Sequence, residues 1–283
     1  MTLLAALPAG AEPIVRTPPS AAPARPPLVI VWLENHSAAQ INRRTAPYLS
    51  ALRSSARSFS NYRAVASPSL PNYLAFASGS THGKRGTDAI RAGEILGPTI
   101  WRQLTNHRVS WGVYQESMPT SCYRGVFANG GGRGPYVLKH NPAMPFRELA
   151  GSAACRNVMP LAAMPVRLPQ VSFVTPATCN DMHGVSDLSL GPSCVSGTVA
   201  LIRRGDRWMR VHVRRWRSLG ATVVVTFDEG GGALYSVVAG AGIPHGVFRL
   251  RYTHFSLLAA LERRFGLPRL GAARFARPLP LGP

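Results

Sequence analysis

The 283-residue sequence predicts an α/β domain of three layers, a central and mostly parallel sheet flanked by helices. Continuous apolar runs are the first observation: LVIVWL (28–33), WGVYQE (111–116), VSFVTP (171–176) and ATVVVTFDE (221–229) read as strands buried on both faces that end in polar groups. Helical periodicity between them is the second. The third is composition: 46% apolar and 16% charged residues exclude a disordered polyelectrolyte, and no run of 18 apolar residues marks a spanning helix.

In chain order, residues 1–27 form a separate leading segment. A short apolar start without a positive n-region reads as a signal remnant or a disordered tail, and the Pro-rich stretch from Glu12 as an extended linker. The domain is expected over 28–270. Helices are predicted at 45–58, with Leu49 and Leu52 on one face, and at 71–78, 98–106, 198–218 (outer face rich in Arg) and 254–265. Residues 271–283 are expected to fray. There is no internal repeat.

The net charge is +20, and of 32 basic residues only Lys84 and Lys139 are lysines. The arginines are dispersed rather than gathered in an aromatic-interleaved tract, so no specific nucleic acid is expected. A positive field still attracts anions and permits at most peripheral membrane contact. The four cysteines lie in connecting sequence. Two disulfides, Cys122–Cys155 and Cys179–Cys194, are the favoured reading and indicate export to the cell envelope or beyond; buried free thiols are the alternative.

The chain has only twelve acids, yet two predicted strands end in paired oxygen ligands, Glu34-Asn35 and Asp228-Glu229. Ligands of open α/β sheets bind beyond the carboxyl ends of strands, and carboxylates beside apolar runs are costly unless paired or bound to metal. The alternative for each is a carboxylate bonded to backbone amides or an arginine. Ser69-Leu70-Pro71-Asn72 puts a hydroxyl at or next to the N-cap of a helix whose first turn tolerates Pro71. That is either an ordinary cap or a nucleophile where a phosphoryl group would be held. Asp181 and His183 follow the strand at 171–176, as ligand and proton donor, and His140 adjoins Lys139. His36, His107, His212 and His245 read as structural, and His82 stays open.

Taken in order, these segments resemble the phosphoesterase family of bacterial acid phosphatases and phospholipases C, above all its shorter secreted acid phosphatases. The likeness rests on Glu34-Asn35-His36-Ser37, Ser69 to Gly79, Lys139-His140-Asn141-Pro142, Asn180-Asp181-Met182-His183, Gly205-Asp206-Arg207-Trp208, Thr226-Phe227-Asp228-Glu229 and Tyr252 to Leu258. It implies the alkaline phosphatase-like fold and Ser69 as nucleophile. It also implies a divalent metal (Ca, Mg or Mn) on Glu34, Asn35, Asp228 and Glu229. His140 and His183 would contact phosphate or protonate the leaving oxygen, with Asn72, Lys139 and Asp181 as substrate contacts. The expected activity is phosphomonoester hydrolysis by a monomer on a phosphorylated small molecule or lipid. A phosphodiesterase or phospholipase C, or a non-catalytic polyanion binder on the same fold, are the rivals. The chain departs from the family pattern at Ser67, where His is common, at Gly184 and at Gly230-Gly231-Gly232.

Overall fold

The computed structural model describes residues 25–282; the expectations for residues 1–24 lie outside them. The chain opens with β1 (Leu28–Leu33), α1 (Pro47–Ser55), β2 (Arg57–Phe59) and β3 (Tyr62–Arg63). Next come α2 (Ser69–Ser78), α3 (Ile100–Asn106) and β4 (Trp111–Gln115). A loop-rich stretch carries β5 (Phe127–Ala128), β6 (Tyr136–Val137), α4 (Arg147–Ala150) and β7 (Val158–Pro160). β8 (Val171–Thr175), α5 (Val199–Ser218) and β9 (Thr222–Phe227) follow. The chain closes with β10 (Ser236–Ala239), β11 (Gly246–Phe248), β12 (Tyr252–Thr253) and α6 (His254–Phe265).

Eight strands form one sheet in the order β11-β2-β10-β9-β1-β8-β4-β7, in which only β10 runs antiparallel to its neighbours. The four strands read from apolar runs are its centre. β1 lies between β9 and β8 and every residue of all three is buried, which is why they carry no alternation. Register is set by direct pairing of Leu28 with Val171 on one side and Thr222 on the other, so the carboxyl ends of β1, β8 and β9 emerge together.

Helix boundaries differ from expectation where the backbone is recruited elsewhere. The helix expected over 45–58 stops at Ser55, because Arg57–Phe59 pairs with β10 and β11. The helix expected from 71 begins at Ser69 instead, with Pro68 as its N-cap, so Ser69 is the first helical residue and Pro71 the third. Proline fits there because the first-turn N–H groups have no intrahelical partner. All ten residues of α2 are buried. Its αL C-cap, Gly79, lies so close to Leu270 that a Cβ would come within 2.3 Å of that carbonyl oxygen.

The Gly205-Asp206 motif on α5 is structural. A Cβ at Gly205 would lie 2.5 Å from Met182, and Asp206 accepts the Tyr48 and Leu49 N–H groups at 3.0 and 2.8 Å, capping α1 with a negative charge. The expected fraying of the C-terminus is corrected for residues 271–282. Leu279 and Leu281 are buried, the Leu279 N–H donates to Ser256 O at 2.9 Å, and the Arg57 guanidinium donates to Pro280 O at 3.1 Å. Apolar side chains on a proline-stiffened backbone have little chain entropy left to lose on docking. Cys122–Cys155 and Cys179–Cys194 are both disulfides, and the second ties the loop carrying Asp181 and His183 to the approach of α5. Among the described residues no helix is long and apolar enough to cross a membrane.

Candidate active site

Three adjacent strands deliver three carboxylates to one place. Glu34 directly follows β1, Asp228 directly follows β9, and Asp181 lies in the loop after β8. The pairing continues one step beyond the sheet: the Glu34 N–H donates to Asp181 O at 2.8 Å and the Asp228 N–H to Leu33 O at 3.0 Å. All three side chains are fully buried. Ser69 enters from the first turn of α2, and its Oγ donates to Glu34 Oε2 at 2.9 Å. Tyr73, one turn on, donates from its hydroxyl to Glu34 Oε1 at 2.5 Å.

His140 is wedged between two of the acids and stacked on Tyr73, with ring centroids 5.7 Å apart and planes 11° apart. Its Nδ1 lies 3.2 Å from Asp181 Oδ2 in hydrogen-bonding geometry. Nε2 stands 3.3 Å from Glu34 Oε2 but makes no hydrogen bond. Burial, then the charges of His183 and Lys139, hold His140 well below its usual pKa, which favours the neutral ring, and the Asp181 contact assigns its proton to Nδ1. A bare imidazole nitrogen therefore faces a carboxylate oxygen.

Burial raises all three carboxyl groups. For Glu34 the charges of Asp228 and Asp181 add to it, and for Asp181 the charge of Asp228 does, while the Asn35 N–H at 3.1 Å opposes the shift of Asp228. Asp228 Oδ2 is buried with no hydrogen-bond partner. The cluster thus holds more acceptors than donors, and that imbalance suits a cation. Glu34, His140 and Asp181 each offer an atom within 4.8 Å of the others, a group able to hold a metal ion. Oxygen-rich ligands with one imidazole fit Ca, Mg or Mn rather than a thiophilic metal.

The rest of the site lies around this cluster. Lys139 Nζ donates to Asp88 Oδ2 at 2.7 Å and stands 3.2 Å from His183 Nε2. His183 Nδ1 is 2.9 Å from Gly184 O, so Nδ1–H donates there and Nε2 accepts from Lys139. Burial and Lys139 lower the pKa of this ring as well. The His183 N–H in turn donates to Asp181 Oδ1 at 2.7 Å.

Of the residues picked from sequence, Glu34, Ser69, Asp228, Asp181, His140, His183 and Lys139 meet here. Asn35 and Glu229 stand apart from the buried cluster. Asn35 is exposed in the left-handed region (φ 61°) and contributes its backbone N–H. Glu229 is half-buried on a neighbouring cleft, beside Ser67, whose hydrogen bond opposes the upward pull of burial on its carboxyl group. Asn72 does not face the cluster: its amide accepts from the Val65 and Ala66 N–H groups and donates to Ala66 O and Pro68 O, fixing the loop before Ser69. Three residues carried no sequence role. Tyr73 looked like one more apolar residue of a helix. Asp88, which joins Lys139 to the Leu70 N–H at 2.9 Å, lies in a loop without a motif. His254 bonds Asp228 O at 2.6 Å and the Tyr62 hydroxyl at 3.1 Å, and burial lowers its pKa to about 4; the signal for it was the matched segment from Tyr252.

A family model described as the Phosphoesterase family matches residues 31–247. A phosphatidylinositol-3-phosphatase of Mycobacterium tuberculosis is 30% identical over 285 residues, covering 95% of this chain and 87% of that protein. A phosphate-repressible acid phosphatase of Penicillium chrysogenum is 29% identical over 260 residues, 86% of this chain but 60% of the fungal protein. An acid phosphatase of Aspergillus niger is 27% identical, and the chain spans 59% of its length. Among solved structures, a protein in the alkaline phosphatase superfamily from Vibrio parahaemolyticus aligns with a TM-score of 0.56 at 9% identity, over 92% of this chain and 75% of that one. A phosphonate monoester hydrolase from Silicibacter pomeroyi aligns at 0.54 and 13% identity, over 90% and 78%. At these identities the likeness is one of fold.

Proposed function

This chain belongs to the Phosphoesterase family and is a phosphoric ester hydrolase, and from that premise we propose a metal-dependent phosphomonoesterase with Ser69 as nucleophile. The observation that carries the reading is the Ser69 hydroxyl held 2.9 Å from Glu34 Oε2, in a cluster whose buried Asp228 oxygen lacks a partner. A divalent cation held by Glu34, Asp228, Asp181 and His140, with Asn35 and Glu229 at its margin, would supply positive charge for phosphate oxygens and lower the pKa of the serine.

In the first step Ser69 Oγ attacks phosphorus, its proton passes to Glu34 Oε2, and the bond to the ester oxygen breaks. Lys139 offers its ammonium group to the phosphoryl oxygens. Protonated His183 delivers the proton that the leaving oxygen takes up. In the second step neutral His183 accepts a proton from water at Nε2 while the oxygen attacks the phosphoserine. The P–Oγ bond then breaks, and Glu34 returns its proton to Ser69. The depressed pKa of His183 suits this exchange to an acidic medium.

The mycobacterial relative is named for a phosphoinositide, so a phosphorylated lipid headgroup is a substrate class alongside soluble monoesters. The two disulfides suit an exported protein. The test is phosphate release from p-nitrophenyl phosphate with and without a chelator, repeated with added Ca, Mg and Mn. A chelator-sensitive rate restored by one of them supports the reading; a rate that no chelator lowers overturns the metal. Parallel release from bis-p-nitrophenyl phosphate decides between monoesterase and diesterase.

A further inference from the structure

Beside the nucleophile a second, open cleft of about 620 Å³ is lined by Ser67, Glu229, Gly230 to Gly232, Arg63 and Arg251. It adjoins the reaction site through two chain connections: Ser67 is two residues before Ser69, and Glu229 follows Asp228. Its far wall is the two-stranded sheet of β3 and β12, in which Tyr62 pairs with Tyr252 and Arg63 with Thr253. Strand alternation turns Tyr62 and Tyr252 inward, where both are buried, and puts Arg63 and Arg251 on the opposite face at diagonal positions.

Two guanidinium groups on one small face repel each other. Among the described residues neither is in an ion pair; Arg63 Nε donates to Asn61 Oδ1 at 2.9 Å, and Arg251 makes no side-chain hydrogen bond. The rest of Arg63's fork, and all of Arg251's, is left for a planar or tetrahedral anion. The cleft's one acid, Glu229, is the residue after Asp228. The three consecutive glycines leave the floor without side chains.

We propose that Arg63 and Arg251 form a specificity subsite for a second anionic group of the substrate. That group is carried on a scaffold that sets it apart from the scissile phosphate, as in a sugar or polyol bisphosphate. The proposal rests on the monoesterase reading and names the substrate class of that same site. It gives the +20 chain a local reason to prefer doubly anionic esters over simple ones.

The test uses the full chain, Arg63→Gln, Arg251→Gln and the double variant, with p-nitrophenyl phosphate, fructose 6-phosphate and fructose 1,6-bisphosphate as probes. The double variant is expected to lose about tenfold in kcat/KM on the bisphosphate, mainly through KM. It should stay within about twofold of the parent on the two monophosphates, and added salt should erase the difference. Equal losses on all three probes, or none on the bisphosphate, overturn the proposal. A second arm measures fructose 1,6-bisphosphate binding by calorimetry in a Ser69→Ala background, with and without the two arginines. Arginine-dependent binding without turnover in the parent chain would sink the hydrolytic reading and leave the subsite standing. Turnover with arginine-independent binding would do the reverse.

Discussion

Asp228 and Glu262 are both fully buried carboxylates, and burial raises the pKa of each, but their surroundings are opposite in kind. Glu262 on α6 accepts the Leu270 N–H at 2.7 Å through Oε1, and its Oε2, which makes no hydrogen bond, faces the Arg269 guanidinium at 3.7 Å. It joins a helix to the segment after it and carries its own countercharge. Asp228 likewise has one backbone donor and an oxygen without a hydrogen bond, but the charged group nearby is a second acid, Glu34. A buried acid in an ion pair of its own is part of the fold, whereas three that share one ammonium, Lys139, already paired with Asp88, hold negative charge in excess and mark where a ligand charge belongs.

The largest effect that would break this contrast is loss of turnover. Ser69→Ala is expected to bring phosphate release below about 10% of the parent with little change in thermal unfolding, because one small hydroxyl is removed; higher residual activity excludes Ser69 as nucleophile. Asp228→Asn should lose bound metal and activity together, read by elemental analysis of the purified protein. Unaltered metal content would put Asp228 among the structural acids, with Glu262. Metal should also raise the parent's Tm, and more so at higher pH, where the raised carboxyl groups of Glu34 and Asp181 are more fully ionised and repel each other.

The centre of this contrast was legible in the sequence and its edges were not. Strand-end acids can be read because a buried parallel strand is an unbroken apolar run, and the first polar residue after it sits at the carboxyl edge of the sheet. Glu34 and Asp228 followed from that rule alone. The rule does not say which of two successive polar residues turns inward, so Asn35 and Glu229 were grouped with their neighbours. The resemblance makes Asp181 a substrate contact and His140 a phosphate contact or proton donor, yet both share the acid cluster, because only the sheet order sets β8 beside β1. Asp88 and Tyr73 act through contacts between distant segments, which no local pattern encodes. The short strands β2, β10 and β11 are not legible in the sequence because three or four residues carry no measurable period.

Intermediate effects test how firmly the cluster is held. Replacing both Cys179 and Cys194 by Ser opens a loop of sequence separation 15, and chain entropy puts the cost near 3 kcal/mol. Denaturant unfolding should register that loss, and activity should fall because the tether of Asp181 and His183 is gone. Full activity after the change would mean that the Glu34 N–H bond to Asp181 O suffices. Tyr73→Phe leaves the buried Glu34 Oε1 without its donor, a loss of about 1.5–3 kcal/mol for a hydrogen bond to a charged group. Its kcat should drop more than its KM changes, since Glu34 takes the proton of Ser69. A change confined to stability would remove Tyr73 from the chemistry.

The effect that leaves catalysis untouched comes from Glu262 and bears on the other half of the comparison. Its carboxyl pKa is raised from 4.5 to about 7, so the folded state favours the protonated form. The stability that this contributes is complete below pH 4.5 and is lost as pH rises through about 7. Glu262→Gln cannot titrate and keeps an acceptor for the Leu270 N–H. The stability of the parent minus that of the variant should therefore decline across this window and level off above it, without any change in phosphate release. A difference that is flat with pH, or one that grows, would show that Arg269 already holds Glu262 ionised. The two buried acids would then differ still more sharply, since among the described residues Asp228 is in no ion pair of its own.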